Sequence, residues 1–444
     1  MSASFQITET AQSFLSERNC APGRSIPWLL FFAITAILLF CGTASWGISM
    51  EDPGFGDFIQ TPDAIEVSGS LLRQIAFSAL GVFSLVGILR TRLRIVNSTT
   101  AVLLSIFGAW ALASMFWSVD PMRGLHRLIL WVAIALCSVW LAGARPGELP
   151  RFAVFSSAVF MGTGLLAECV LGSFHPFSDG YRFAGTFHPN HQAINAAVLF
   201  FAATSLARDH SRYRRFLLWT AGIAVLLLLL TKSRTALFSL IAAQLVLWAT
   251  GVLRVRRRTI IAIVFTGLVS VLAFTLLFSP TSIRSLVLLN RDTNADTMTV
   301  RYELWTTLTP YFWKRPLTGY GCGAFWTPEH ISDVSASQGW HVGEAHSSYL
   351  ELLLALGVPG LLLLAVALTS IWIAARREVV LFSSSTFTVS IFTFAIFNAL
   401  TESAAYAAPE LVFLLFWGAA QLIIRPAGAQ ETIVGLLHQE INRT

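Results

Sequence analysis

Charge is scarce in this sequence. Asp, Glu, Lys and Arg make up 12% of its 444 residues, against about 25% in an average soluble domain. Hydrophobic residues make up 55%, and the mean hydropathy is +0.67. A soluble chain could not keep that much apolar surface from water, so the soluble classes are excluded. Cysteine is scarce too. Of the five, Cys41, Cys137 and Cys169 lie in apolar runs and Cys20 in the polar N-terminal stretch. That leaves Cys322 alone in a segment with expected access to oxidants, so neither a disulfide framework nor a cysteine metal set is expected. Internal repeats and matched pairs of interrupted helices, which many transporters carry, are not evident. Nor is a cleavable leader: the run from Trp28 to Phe40 continues into Cys41, Gly42 and Trp46 without a small-residue cleavage site, and is expected to remain as a first span. The net charge of +6 is carried largely in short loops, where it reads as a topology signal and not as a nucleic-acid surface.

What is abundant is apolar sequence in blocks long enough to cross a bilayer, which takes roughly 20 residues per helix. Eight such blocks run near Trp28–Ile48, Leu71–Leu89, Thr100–Trp117, Leu125–Ala142, Phe152–Leu171, Gln192–Ala207, Phe216–Leu230 and Ala236–Leu253. Four more run near Ile260–Phe278, Tyr349–Ala374, Val380–Leu400 and Leu411–Ile424. The expectation is an all-α polytopic membrane protein of about 12 transmembrane helices over 28–424, with tails at 1–27 and 425–444. Arginine clusters (Arg90/Arg92/Arg94, Arg145/Arg151, Arg208/Arg212/Arg214/Arg215, Arg254/Arg256/Arg257/Arg258 and Arg376/Arg377) alternate with acidic or neutral loops such as Glu51–Glu66 and Thr401–Glu410. The positive-inside rule puts the clusters and both tails in the cytoplasm. A long loop, 280–348, then faces outward.

That loop contains Trp305, Trp313, Trp326 and Trp340. Leu304, Trp305, Leu308 and Phe312 recur at helical spacing within Arg301–Trp313, which predicts a short amphipathic helix lying along the outer membrane surface. Pro316, Gly319, Gly321 and Gly323 end it.

Four segments on the outward side could carry chemistry. Arg234 and Lys232 sit at the tight join of two spans, where an arginine is either a snorkelling anchor or an anion-binding fork. Arg301, which opens the amphipathic stretch, has the same two readings. His346 sits where the long loop re-enters the membrane, after His341 and Glu344. It is either a hydrogen-bonding boundary residue or a proton-exchanging one, and Ser347 or Ser348 could cap the helix that follows. The His341/Glu344/His346 spacing is not that of a zincin helix, so no metal is expected. Gly185–His191 is a turn leading into a span, and its His188, Asn190 and His191 could hydrogen-bond a sugar or phosphate.

In order along the chain, Gly-Thr-Phe-His-Pro-Asn (Gly185–Asn190), Thr-Lys-Ser-Arg-Thr-Ala (Thr231–Ala236), Arg-Tyr-Glu-Leu-Trp (Arg301–Trp305) with Pro-Leu-Thr-Gly-Tyr-Gly (Pro316–Gly321), and His-Ser-Ser-Tyr-Leu-Glu with Leu-Gly-Val-Pro-Gly (His346–Gly360) resemble the O-antigen ligase and polymerase superfamily. These bacterial envelope enzymes use glycans carried on undecaprenyl pyrophosphate. The resembling region covers about 182–366. The resemblance implies a GT-C-like helical fold in the inner membrane and an inverting, metal-independent glycosyl transfer at the periplasmic face, without a cofactor. It implies that Arg234 and Arg301, with Lys232, bind the donor pyrophosphate. His346, with Arg301, would be catalytic, and His188, Asn190, Glu344 and Trp305 are candidate substrate contacts. The family often has Asn after the histidine, where Ser347 stands here. The acceptor would be a lipid A-core sugar for a ligase or a second lipid-linked unit for a polymerase. The expected partners are these glycans and the membrane lipids. A lipid-linked glycan flippase is the reading from another class; it would predict repeat symmetry and charges deep within several spans.

Overall fold

The computed structural model describes residues 28–43, 70–144, 147–178, 181–252, 297–379 and 383–426. The N-terminal tail, the C-terminal tail after residue 426, the acidic segment before residue 70, Arg145, the Arg254–Arg258 cluster, the expected span near Ile260–Phe278 and the first part of the long loop lie outside these residues. Within them the chain is almost entirely helical. The helices are α1 (Trp28–Thr43), α2 (Ser70–Arg90), α3 (Ser98–Ala113), α4 (Pro121–Ala144), α5 (Leu149–Leu171), α6 (Pro189–Asp209), α7 (Arg214–Leu230) and α8 (Arg234–Ala249). They continue with α9 (Thr297–Lys314), α10 (Pro328–Gln338), α11 (Ser348–Glu378), α12 (Ser383–Asn398), the single turn α13 (Ala404–Ala407) and α14 (Pro409–Ile423).

Every expected span inside the described residues falls on one of these helices. Of them, four stretches are long and apolar enough to cross a membrane by length and composition: Ser98–Trp117, Pro121–Ala144, Leu149–Leu171 and Ser348–Glu378. Outward faces of these and other helices are apolar: Val82, Val102, Leu166, Val170, Trp219, Phe238 and Leu362 are all exposed, an apolar surface far larger than a monomer in water shows. The chain is an α-helical membrane protein.

The bundle core is built on aromatic contacts and on small residues. Phe31, Phe152, Phe413 and Trp417 form one edge-on cluster joining α1, α5 and α14. The face of α6 is buried through Ala193, Ala196, Ala197, Ala202 and Ala203. Small side chains let helix backbones approach closely where lipid supplies no hydrophobic drive for association.

Two departures from the all-helical expectation concern the ends of spans. Leu93–Ile95 (β1) pairs antiparallel with Ile424–Pro426 (β2), so α14 does not simply run into a tail at residue 425. The ribbon also fixes sidedness within the molecule. Arg425 donates to Glu378 at 2.7 Å, Arg376 to the Thr250 carbonyl at 2.9 Å, and Leu93 packs on Gly143. The arginine-bearing ends of α2, α11 and α14 and the C-terminal end of α8 therefore share one end of the bundle.

The second departure is in α11, where the sequence shows one uninterrupted run. Gly357 has φ 67° and ψ −173°, a combination open essentially to glycine alone. The helix breaks there, Val358 N–H donates to the Pro316 carbonyl at 2.8 Å, and Trp110 Nε1–H donates to the Leu356 carbonyl at 3.0 Å. A methyl group at Gly357 would lie 2.5 Å from the Leu317 backbone. The Leu-Gly-Val-Pro-Gly segment is thus a joint that docks the loop's Pro316–Gly321 turn against the bundle.

From Thr297 onward the loop is folded. Helix α9 forms where the periodicity predicts, but its apolar stripe does not lie on the membrane. Leu304 and Leu308 are fully buried against Tyr320, Phe325, Val334, Val342, Ala345 and Leu354, because α10 and the following turns cover them. Tyr302, Trp313 and Leu317 remain exposed. Cys322 also differs from its expectation. It is fully buried, its N–H is bonded to Ser114 Oγ at 3.0 Å, and burial pushes its thiol up to about 12, so it has no oxidising access.

Candidate functional site at the loop end of the bundle

The end of the bundle away from the arginine-rich ribbon gathers the segments singled out in the sequence. Each is set by local structure. The Gly185–Asn190 turn is held from beneath by Glu168 on α5, whose carboxylate accepts from Ala184 N–H (2.9 Å), Gly185 N–H (2.6 Å) and Tyr181 Oη–H (2.5 Å). Gly185 has φ 59° and lies over Gly164, where a methyl group would come within 2.5 Å of backbone. His188 then caps α6 through Nδ1, which accepts from Asn190 N–H.

The join of α7 and α8 is a second preformed turn. Thr231 Oγ1 donates to the Leu228 carbonyl at 2.6 Å and accepts from Ser233 N–H at 3.2 Å. This holds Lys232 at φ 50° and puts Arg234 at the first turn of α8, half-buried. Arg182 Nε–H donates to the Thr231 carbonyl at 3.0 Å, which ties this turn to the previous one.

Glu402, between α12 and α13, draws the parts together. It is buried, and its Oε1 accepts from Arg301 Nη2 at 2.7 Å, Asn190 Nδ2 at 2.9 Å and Thr235 Oγ1 at 3.1 Å. Its carbonyl accepts from Ser348 Oγ at 2.7 Å. Asn190 Oδ1 in turn accepts from Arg182 Nη2 at 2.8 Å. One residue thus joins α9, α6, α8 and the start of α11, the first three through its carboxylate, which fixes Arg301 through a charge-assisted bond, and the last through its carbonyl.

His346 stands beside this network. Its Nδ1 is 2.8 Å from Glu344 Oε1, an ion-pair contact rather than an aligned hydrogen bond, and Trp340 stacks on its ring at 6.1 Å. Desolvation opposes protonation of His346, but Glu344 and Glu402 outweigh it and Arg301, so its pKa is raised above the ordinary histidine value. Desolvation likewise works against the charged Glu344, yet His346, with His191 and His188, pulls its carboxyl down to about 2. His188 opens to the surface but is hemmed in by protein. That desolvation, with His191 and Arg182 beside it and Glu344 opposing, lowers its pKa. His191 Nδ1 lies 3.5 Å from Glu410 Oε1.

Backbone strain marks the same place. Among the described residues, Lys232 and His346 are the non-glycine positions with positive φ, 50° and 48°. This region costs an L-residue about 1–2 kcal/mol, and such residues cluster where geometry serves function.

The structure therefore brings Arg301, Asn190, Thr235 beside Arg234, and His346 with Glu344 around one carboxylate. Trp305 contributes differently. Its Nε1–H donates to the Ala345 carbonyl at 2.9 Å, so it braces the His346 turn. Ser347 caps α11 by accepting from Leu350 N–H, and its hydroxyl donates to the Ala399 carbonyl. Glu402, Arg182 and Glu410 were not singled out from the sequence. The available signal was the placement of two acids, Glu402 and Glu410, in a short link between apolar spans. Among the described residues, no group of three or more His, Cys, Asp or Glu side chains is arranged to hold a metal ion.

No curated protein matches this chain in a sequence comparison. A family model does match, over residues 219–365, about a third of the chain. The matched stretch includes the Thr231–Ala236 turn, Arg301–Trp305 and His346–Gly360, and begins after Gly185–Asn190. The matched family is described as O-antigen ligase, so residues 219–365 of this membrane protein are similar to that family, which supports the resemblance to the O-antigen ligase and polymerase superfamily.

Proposed function

We propose that this protein transfers a glycan from undecaprenyl pyrophosphate to an acceptor hydroxyl, on lipid A-core or a similar sugar, at the periplasmic face of a bacterial inner membrane. The observation that carries this reading is the juxtaposition of a fixed arginine, Arg301, with a histidine held against a carboxylate, His346 beside Glu344, at one end of the bundle. The arginine-rich ends that the positive-inside rule assigns to the cytoplasm lie at the other.

The chemistry follows from the residues. The donor's anomeric carbon is bonded to a pyrophosphate oxygen, which becomes a good leaving group once its charge is met. Arg234 and Arg301, with Lys232 between the spans, supply planar or point charges preset for that role, an electrostatic contribution that needs no rearrangement during the reaction. His346 takes the acceptor hydroxyl's proton as the new glycosidic C–O bond forms on the face opposite the departing pyrophosphate, so the anomeric configuration inverts. The carrier leaves as undecaprenyl pyrophosphate. No metal is required in this scheme, since the arginines neutralise the leaving group. His188, Asn190 and Glu344 border the acceptor side.

A polymerase would use the same steps with a second lipid-linked unit as acceptor, and the Gly185–Asn190 segment, which also resembles exopolysaccharide polymerase-like members of the superfamily, keeps that reading beside the first. The experiment is a product analysis. Purified protein in liposomes is given an undecaprenyl-pyrophosphate-linked repeat unit, with and without lipid A-core. Ligated lipid A-core is the expected product; lengthened glycan on the carrier would assign the polymerase instead, and no transfer under either condition would overturn both.

A further inference from the structure

We propose that Glu351 is a positioning residue for His346: its buried carboxylate clamps the backbone immediately before the histidine and so aims the imidazole at Glu344. The proposal rests on the reading of His346 as the acceptor-side group and adds to it the part that holds that group in place.

Glu351 lies on the first turn of α11 and is buried. Its Oε1 accepts from Ala345 N–H at 2.6 Å, and both carboxylate oxygens receive Trp326 Nε1–H, at 3.1 and 3.0 Å. The Ala345 carbonyl is held from the opposite side by Trp305 Nε1–H at 2.9 Å. Both polar groups of the residue before His346 are therefore pinned, one to α9 and one to α11 through Glu351. The next residue carries the strained φ of 48°, a conformation that persists only where its surroundings over-determine it.

An ordinary helix cap does not account for this. Ser347 already caps α11, and a capping acid reaches back to the N-cap residue's own N–H. Glu351 instead reaches past Ser347 and His346 to Ala345. Nor is the carboxylate simply an ion-pair member, because the partners it is bonded to, Ala345 and Trp326, are neutral. Burying a carboxylate on neutral donors is costly, and here that cost supports the turn that presents His346.

The groups facing His346 are Glu344, Glu402, Arg301 and His188, with Trp340 stacked on the ring. If the clamp is released, the turn relaxes toward negative φ and the imidazole leaves Glu344, so its protonation midpoint falls.

The test is the His346 midpoint, read from imidazole NMR shifts of labelled histidine in detergent-solubilised protein and assigned with His346→Ala. Glu351→Asp keeps the carboxylate but withdraws it by one methylene, so a fall there cannot come from lost charge. The expected result is a lowered midpoint in both Glu351→Asp and Glu351→Gln, with a kcat loss on the order of tenfold or more and an unchanged KM for an undecaprenyl-pyrophosphate-linked repeat unit. If Glu351→Gln does not insert, Glu351→Asp decides. An unchanged midpoint, or a loss confined to KM, overturns the clamp. Normal transfer by His346→Ala would overturn the role of His346 in transfer, and it leaves the midpoint measurement on Glu351 to stand on its own.

Discussion

Arg301 Nη2 and Glu402 Oε1 are 2.7 Å apart, both side chains nearly buried, and the pair joins the long loop to the link between α12 and α13. Removing one member of a buried pair leaves the other charge unmet, which costs about 3–5 kcal/mol. Glu402→Ala should therefore lower stability by that order and free Arg301 to change rotamer. Glu402→Gln is the sharper variant. It keeps the shape and one acceptor oxygen but removes the charge, so Arg301 is still bonded but more weakly. The expected outcome is a folded protein, by thermal unfolding in detergent, with transfer reduced on the order of tenfold. Wild-type transfer in Glu402→Gln would show that the charge does not set the arginine.

The pH dependence of transfer should report His346. Its raised pKa means that the neutral form needed to accept a proton appears at higher pH than it would for an ordinary histidine. Activity should climb through that pKa as pH increases. Glu344→Gln removes the main opposing charge, so the climb should shift to lower pH. The stability contribution runs the other way. Because the folded pKa is raised, the Glu344–His346 contact stabilises fully below the unfolded histidine value and is lost as pH rises through the folded one. A rate that falls with pH where it should climb would assign the protonated imidazole, acting by charge, and not the base.

The guanidinium fork of Arg234 is the third testable element. It opens α8 directly before Thr235, which bonds the same carboxylate oxygen as Arg301. Arg234→Lys keeps a positive charge and loses the planar pair of donors. Transfer should fall by on the order of tenfold or more, and titration with undecaprenyl pyrophosphate should show weaker binding. Near-normal affinity would return Arg234 to the role of an interface anchor.

Much of this arrangement could be read from the sequence, for identifiable reasons. Apolar runs place the helices because lipid demands continuous apolar faces. Arg234, Arg301 and His346 stand out because charge at a membrane boundary is rare enough to notice. Glu402 did not stand out. Its partner Arg301 is 101 residues away in sequence, and an acid in a short loop between spans looks like solvent-facing charge until the fold buries it. The surface helix expected at Arg301–Trp313 was correct in period and wrong in partner, since periodicity reports an apolar stripe but not what covers it. The same holds for Trp305, whose indole braces Ala345, and for Cys322, which lies in a loop that is itself packed.

The break in α11 was also hidden, because Leu356-Gly357-Val358 continues an apolar run whatever the backbone does. It yields the last prediction. Gly357 has φ 67° and ψ −173°, and a methyl group there would meet the Leu317 carbonyl carbon and oxygen at 2.5 Å. Gly357→Ala therefore combines a backbone conformation costing about 1–3 kcal/mol for an L-residue with a backbone clash that no rotamer relieves. If α11 straightens instead, the Val358–Pro316 bond is lost and the loop's Pro316–Gly321 turn loses its seat on the bundle. Either way the unfolding temperature should fall. The discriminating measurement is protease accessibility of the loop between residues 315 and 323, compared with wild type in the same detergent. Faster cleavage there, with the rest of the bundle intact, is expected. Unaltered cleavage and unaltered melting would mean that alanine is accommodated and that the joint does not depend on glycine.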